Sequence, residues 1–154
     1  MERLQQYDVV VVGGGTAGVS AAVGAAKTGA KTLLIERNAY LGGEATNSGV
    51  SAFCGFYTCG ENPVRVVEGV GRLVLNEMEA LGPTVDYVIS ATGNRNINFQ
   101  PEYLKCAMDN LLEKERVDYL LHTSVIGADT ENGTITAIHC VDDEGTFTVA
   151  AKAF

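Results

Sequence analysis

The feature that most constrains this chain is a short apolar run, Tyr7–Val12, that breaks into the glycine-rich turn Gly13–Gly18. A β-branched run ending in glycines predicts a buried parallel strand. Gly13, Gly15 and Gly18 fit the pattern G-x-G-x-x-G, with Ala22 four residues later. Gly13 permits the tight turn out of the strand. Gly15 lets backbone approach a pyrophosphate with no Cβ in the way, and Gly18 lets a helix pack close to the sheet. Gly14, Thr16 and Ala17 complete the turn, so that the helix start faces phosphates with unpaired N–H groups and a positive dipole end. The alanine-rich segment Thr16–Thr28 predicts that helix, and Gly29 its end. Lys31–Glu36 predicts a second strand, which completes a β-α-β crossover unit. Its terminal carboxylate, Glu36, lies twenty-three residues after Gly13. It is placed to accept hydrogen bonds from the ribose hydroxyls of an adenosine. This cradle serves NAD and FAD alike.

Composition narrows the reading. A length of 154 residues suits one domain and is enough to bury a sizeable core. The balance of 19 acids against 11 bases, a net charge of −8, argues against a nucleic-acid surface, which needs clustered Lys and Arg. The longest apolar run, Val9–Val12, is far too short to span a bilayer. The opening MERLQQYD has no apolar segment of the kind a secretory signal requires. Cys54, Cys59, Cys106 and Cys140 do not form paired C-x-x-C knuckles, so no metal site is expected. A cytoplasmic protein with free thiols is the expectation.

Beyond the crossover unit, Leu41–Asn62 reads as loop and short helix. Val66–Leu81 carries Val66, Val70, Leu73, Val74, Met78 and Leu81 at helical spacing, ended by Gly82-Pro83. Thr84–Gln100 is rich in asparagine and reads as an irregular, peripheral loop region. Pro101 opens another helix, where its missing N–H costs nothing, with Leu104, Met108, Leu111 and Leu112 as its face. Tyr119–Val125 reads as a strand, Asn132-Gly133 as a hairpin turn, and Thr134–Val141 and Thr146–Phe154 as the strands of a β-meander. No repeat, low-complexity tract or linker marks a domain boundary. The fold class is therefore α/β: a Rossmann-like βαβ fold with a parallel sheet and a β-meander.

A second glycine pair separates the two cofactors. Rossmann dehydrogenases rarely carry one soon after the ribose acid. Here Glu36-Arg37 leads to Leu41-Gly42-Gly43 and then to Ala45-Thr46-Asn47-Ser48-Gly49. This resembles the FAD-dependent oxidoreductases of the glutathione-reductase-like superfamily. More narrowly it resembles the fumarate-reductase-like group with GG-x-A-T-x-x-G after the ER dipeptide. VSAFCGFYTCG, VEGVG in a helix, PEYLK at a helix start and LLHTSV as a strand continue the likeness. The resemblance covers essentially all of residues 1–154, but only the N-terminal part of a much longer family protein. It implies FAD as cofactor and an FAD-binding fold that is incomplete at its C-terminus. Gly42, Gly43, Glu44, Ala45 and Thr46 are then expected near the pyrophosphate and flavin side. The Val125 backbone is expected at the adenine, and Arg37 beside the adenosine. The family's further nucleotide-contact strand would follow Phe154. The rest of the fold, with most of the substrate site, is thus expected on a further segment or a second polypeptide. The implied activity is hydride transfer between a small organic substrate and the flavin.

Other features compete for a role. Cys54 and Cys59 have the C-x-x-x-x-C spacing of a flavin-linked redox dithiol, yet Cys54 is eleven residues past Gly43, where those enzymes place the first thiol almost directly after the glycine pair. A dithiol reductase and a flavin-carrying electron-transfer subunit are the two alternatives. Tyr87–Gly93 ends in ATG, as a nucleotide-contact strand of the superfamily does, but it precedes HTSV and is read as coincidence. Arg95 among asparagines has the chemistry to hold an anionic substrate. Tyr57 is a candidate for approaching the flavin. His122 and His139 fall on expected strands and are read as packing residues. The sequence assigns no catalytic residue.

Overall fold

A computed structural model describes residues 5–83 and 85–154. The first residues of MERLQQYD, and Thr84 at the head of the asparagine-rich stretch, lie outside the described residues. The chain divides into two compact units, one made of residues up to Gly43 together with Leu112–Phe154, the other of Glu44–Leu111. The sequence carries no linker signal at either crossing.

The first unit is built on a six-stranded sheet. Strands β1 (Gln5–Val12) and β2 (Thr32–Ile35) flank helix α1 (Thr16–Lys27) in sequence and pair in parallel, Val9 opposite Thr32 through Val12 opposite Ile35. Val19, Ala22 and Val23 form the buried stripe of α1 at i, i+3, i+4 spacing. The helix stops at Lys27 because Gly29 turns left-handed (φ 89°) and its N–H bonds back to the Ala26 carbonyl at 2.8 Å. The segment expected as one strand over Tyr119–Val125 is two: β6 (Asp118–Leu120), parallel to β2, and β7 (Ser124–Glu131). The break falls at His122, whose φ of 51° no strand continues through. Asn132 and Gly133, both at positive φ (52° and 78°), make the tight turn from β7 into β8 (Thr134–Asp142). Strand β9 (Gly145–Ala153) pairs antiparallel with β8 and parallel with β1, so the meander is hydrogen-bonded to the parallel strands in the order β6-β2-β1-β9-β8-β7. Tyr7, Val10, Leu33, Ile35, Ile138, Cys140, Phe147 and Val149 form the buried core of this sheet.

The second unit begins with the single helical turn α2 (Glu44–Asn47) and holds a three-stranded sheet of β3 (Ala52–Phe53), β5 (Arg95–Phe99) and β4 (Val85–Ile89) in that order. The stretch read as irregular is therefore a β-hairpin. Its asparagines alternate with Ile97 and Phe99, which are buried, and that period-2 pattern is the strand signal. The ATG of Tyr87–Gly93 is the hairpin's turn: the Ser90 N–H bonds to the Asn94 carbonyl at 2.8 Å, and Gly93 sits at φ 78°. Helix α3 (Val70–Ala80) starts four residues later than the apolar spacing suggests. Gly69 at φ 65° precedes it, and the N–H groups of Val66 and Val67 bond to the Phe56 carbonyl instead of entering a helix. Helix α4 (Pro101–Lys114) buries the expected face of Leu104, Met108, Leu111 and Leu112.

Candidate functional site

The carboxyl ends of β1 and β2 bring the glycine turn and Glu36 together. Gly18 has no room for a side chain: a Cβ there would lie 1.7 Å from the Gly13 carbonyl oxygen. That is the close helix-to-turn packing the sequence pattern implies. Gly14 is closed in as well, since a Cβ would lie 2.6 Å from Leu41 Cδ2 and 2.9 Å from Glu36 Cβ. Gly15 is the N-cap of α1, with no side chain capping the helix and no acid in its first turn. The N–H groups of that first turn have no partners within the helix. Thr16 and Ala17 begin the helix and are exposed.

Glu36 is 6% exposed, and its carboxylate is held from two sides. The Gly14 N–H donates to Oε2 at 2.6 Å. The backbone N–H and side-chain Nδ2 of Asn38 donate to Oε1 at 2.8 and 2.7 Å. The same bend is tied to the β6–β7 break, where the Thr123 N–H donates to the Glu36 carbonyl at 3.0 Å and the His122 N–H to the Asn38 carbonyl at 3.2 Å. Oε2 therefore keeps acceptor capacity beyond the one N–H it receives. Asn38 and Thr123 were not singled out by the sequence reading. The signal for Asn38 was its position two residues after a carboxylate, where a short amide side chain folds back on local groups.

The second glycine pair lies against the first. Gly15 and Gly42 form a parallel bridge, the Gly42 N–H donates to the Gly14 carbonyl at 2.8 Å, and a Cβ on Gly43 would come within 3.0 Å of Gly15 Cα. Backbone meets backbone over the whole contact. A bare helix start, two glycine turns without side chains and a buried carboxylate with spare acceptor capacity fit an adenosine diphosphate moiety.

The remaining expected residues are more dispersed. Arg37 is exposed beside Glu36. Val125, the second residue of β7, pairs with Cys140 and packs against the core of the large sheet. Glu44, Ala45 and Thr46 form α2 in the second unit, where Ala45 and Thr46 are buried and the Glu44 carboxylate accepts from the Ser48 hydroxyl. Cys54 and Cys59 are exposed free thiols, and Cys59 Sγ lies 2.9 Å from Asn94 Oδ1. His139 bridges Thr148 (3.2 Å) and Asp129 (3.0 Å) across the meander. Tyr57 and Arg95 are half-buried in the second unit and in contact with each other.

Among the described residues, no group of three or more His, Cys, Asp or Glu side chains is arranged to hold a metal ion. No helix among them is long and apolar enough to cross a membrane.

Comparison with known proteins agrees with this geometry. The family described as FAD dependent oxidoreductase matches residues 8–154. A digeranylgeranylglycerophospholipid reductase of Methanospirillum hungatei is 30% identical over 125 residues, 81% of this chain and 26% of its own. A glutathione reductase of Yarrowia lipolytica is 53% identical over 49 residues, 32% of this chain and 10% of its own. Among solved structures, a 3-ketosteroid-Δ4-(5α)-dehydrogenase of Rhodococcus jostii superposes with a TM-score of 0.66 at 19% identity, over 99% of this chain and 45% of that one. The match lengths show that this chain spans only a small part of its relatives. Glycine cradle, parallel sheet and family match agree: the chain belongs to the FAD dependent oxidoreductase family.

Proposed function

We propose that this chain supplies the adenosine-diphosphate-binding half of an FAD site in an enzyme that transfers hydride between a small organic substrate and the flavin. The observation that carries this reading is the buried Glu36 carboxylate, fixed by Gly14 and Asn38 with Oε2 still able to accept a hydroxyl. In this reading Gly13, Gly14, Gly15, Thr16, Ala17 and Gly18 face the pyrophosphate, which gains the unpaired N–H groups and dipole of α1. Glu36 receives the ribose, Arg37 flanks the adenosine, and the Val125 backbone meets the adenine. Gly42 and Gly43 let the chain run along the pyrophosphate, with Glu44, Ala45 and Thr46 on the flavin side. FAD supplies the redox chemistry when bound, and the protein supplies binding, orientation and electrostatics.

The chain spans 26% and 10% of the two relatives named above. We therefore assign the rest of the flavin site and the substrate site to a further segment or a second polypeptide. The four free thiols suit a reducing compartment such as the cytoplasm.

The test is equilibrium dialysis of the full-length protein against FAD and against NAD. Retention of FAD in stoichiometric amount with no retention of NAD supports the reading. Retention of NAD alone overturns it.

A further inference from the structure

The second unit carries a cation that nothing in the flavin reading uses. In the β4–β5 hairpin Ile89 pairs with Arg95 and Tyr87 with Ile97, so Tyr87, Ile89, Arg95 and Ile97 share one face. The Arg95 guanidinium lies 5.5 Å from the centroid of the Tyr87 ring and 4.9 Å from that of Tyr57. The two rings meet edge to face at 6.2 Å, forming a corner in which the guanidinium sits. Cation–π attraction holds such a group in place, but it satisfies none of its N–H donors.

The charged neighbours are otherwise engaged. The Arg65 Nε donates to Glu68 Oε1 at 2.6 Å, and the Tyr87 hydroxyl donates to Glu79 Oε1 at 2.6 Å. Burial, with that hydrogen bond, pushes the Tyr87 phenol up to about 12. Arg95 has no such partner: its Nε is buried without a hydrogen bond, and no acid among the described residues pairs with it. Nε itself is closed off, but Arg95 as a whole is only half-buried, so a guanidinium held in place and neutralised by no acid is left for an acceptor from outside the chain.

We propose that Arg95, walled by Tyr57 and Tyr87, is a binding site for a small organic monocarboxylate. A carboxylate offers two oxygens in the plane and spacing of the guanidinium fork. Glu68 is neutralised by Arg65, and the Glu79 carboxylate on the Tyr87 hydroxyl repels a doubly charged ligand such as phosphate more than a singly charged one. Ile89, directly opposite Arg95 and 57% exposed, offers apolar surface to the ligand's carbon body. The site stands on the second unit alone and does not depend on the flavin reading.

The test is calorimetric titration of the full-length protein with hexanoate, with its neutral counterpart hexanamide, and with inorganic phosphate. Hexanoate should bind one to one, hexanamide at least about tenfold more weakly, and Arg95→Gln should weaken hexanoate about tenfold or more. Arg95→Lys, which keeps the charge but loses the fork, should recover only part of that loss, and it replaces the glutamine variant if circular dichroism shows that one unfolded. Ile89→Ala should weaken hexanoate but leave acetate unchanged. Absence of hexanoate binding, equal binding of hexanamide, tighter binding of phosphate, or unchanged affinity in both Arg95 variants would each overturn the assignment.

Discussion

One glycine from each unit shows two different demands that a fold makes on this residue. In the first, Gly18 is required by space, because its Cβ position is occupied by the Gly13 carbonyl oxygen at 1.7 Å. In the second, Gly55 is required only by conformation: its φ is +80° and nothing lies within 4 Å of its Cβ position. The glycine cradle of the first unit packs backbone on backbone beside a buried carboxylate. The second packs side chain on side chain, with Phe53 stacked on Phe99 at 4.3 Å and Arg95 against two tyrosines. Where backbone meets backbone, as at Gly18, no added atom is tolerated, whereas a site made of side chains can be retuned one residue at a time.

Substitutions can break that comparison. The largest effect is expected at Gly18→Ala, which should abolish FAD binding and cost several kcal/mol of stability, about 3 or more, because backbone must move. Gly55→Asn, at a φ that asparagine tolerates, should cost no more than about 1 kcal/mol. Melting curves of the two variants check this, and equal losses would erase the distinction. Thiol labelling comes next. Cys54, Cys59 and Cys106 of the second unit are exposed, while Cys140 is buried in the first, and burial with the nearby Asp142 pushes its thiol up to about 11. Iodoacetamide should alkylate the first three and spare Cys140 by roughly a hundredfold in rate, as read by peptide mass mapping.

Asn38→Ala removes one of the two N–H donors at Glu36 Oε1. It should weaken FAD binding about tenfold, in line with a hydrogen bond to a charged group, while Asn38→Asp should do worse by setting two carboxylates together. The smallest effect concerns Tyr7. Burial, with its hydrogen bond to Asp118 at 3.0 Å, pushes its phenol from 10.0 up to about 12. The folded chain thus keeps a proton that the unfolded chain gives up. Tyr7 therefore contributes full stability below pH 10.0, and that contribution is lost as pH rises toward about 12. Tyr7→Phe should be less stable at pH 8 but should lose less of its stability between pH 10 and 12, measured as urea midpoints.

Much of the first unit was legible in the sequence because its constraints are local. Strand, glycine turn, helix and acid follow one another within Tyr7–Glu36, and the Asn132-Gly133 turn is specified by its own two residues. What escaped depends on contacts distant in sequence. The break at His122 is tied to Asn38, and Glu36 is bonded by Gly14 and Thr123 as well as by its near neighbour Asn38. In the second unit the asparagines of Arg95–Phe99 masked the alternation with Ile97 and Phe99 that makes it a strand. Helix α3 starts late because Gly69 turns at positive φ, which apolar spacing does not encode. Arg95 reads in sequence as a loop cation, and only the hairpin register brings it against Tyr87.

The central claim is that Glu36 and the glycine cradle hold the adenosine of FAD. It is tested most directly by titrating FAD into the full-length protein and its Glu36→Gln variant, following quenching of flavin fluorescence. A glutamine cannot accept from Gly14 and Asn38 on both sides, so the account predicts saturable binding in the parent and a loss of about tenfold to a hundredfold in the variant. Equal affinity in the two proteins, with both folded, would contradict it.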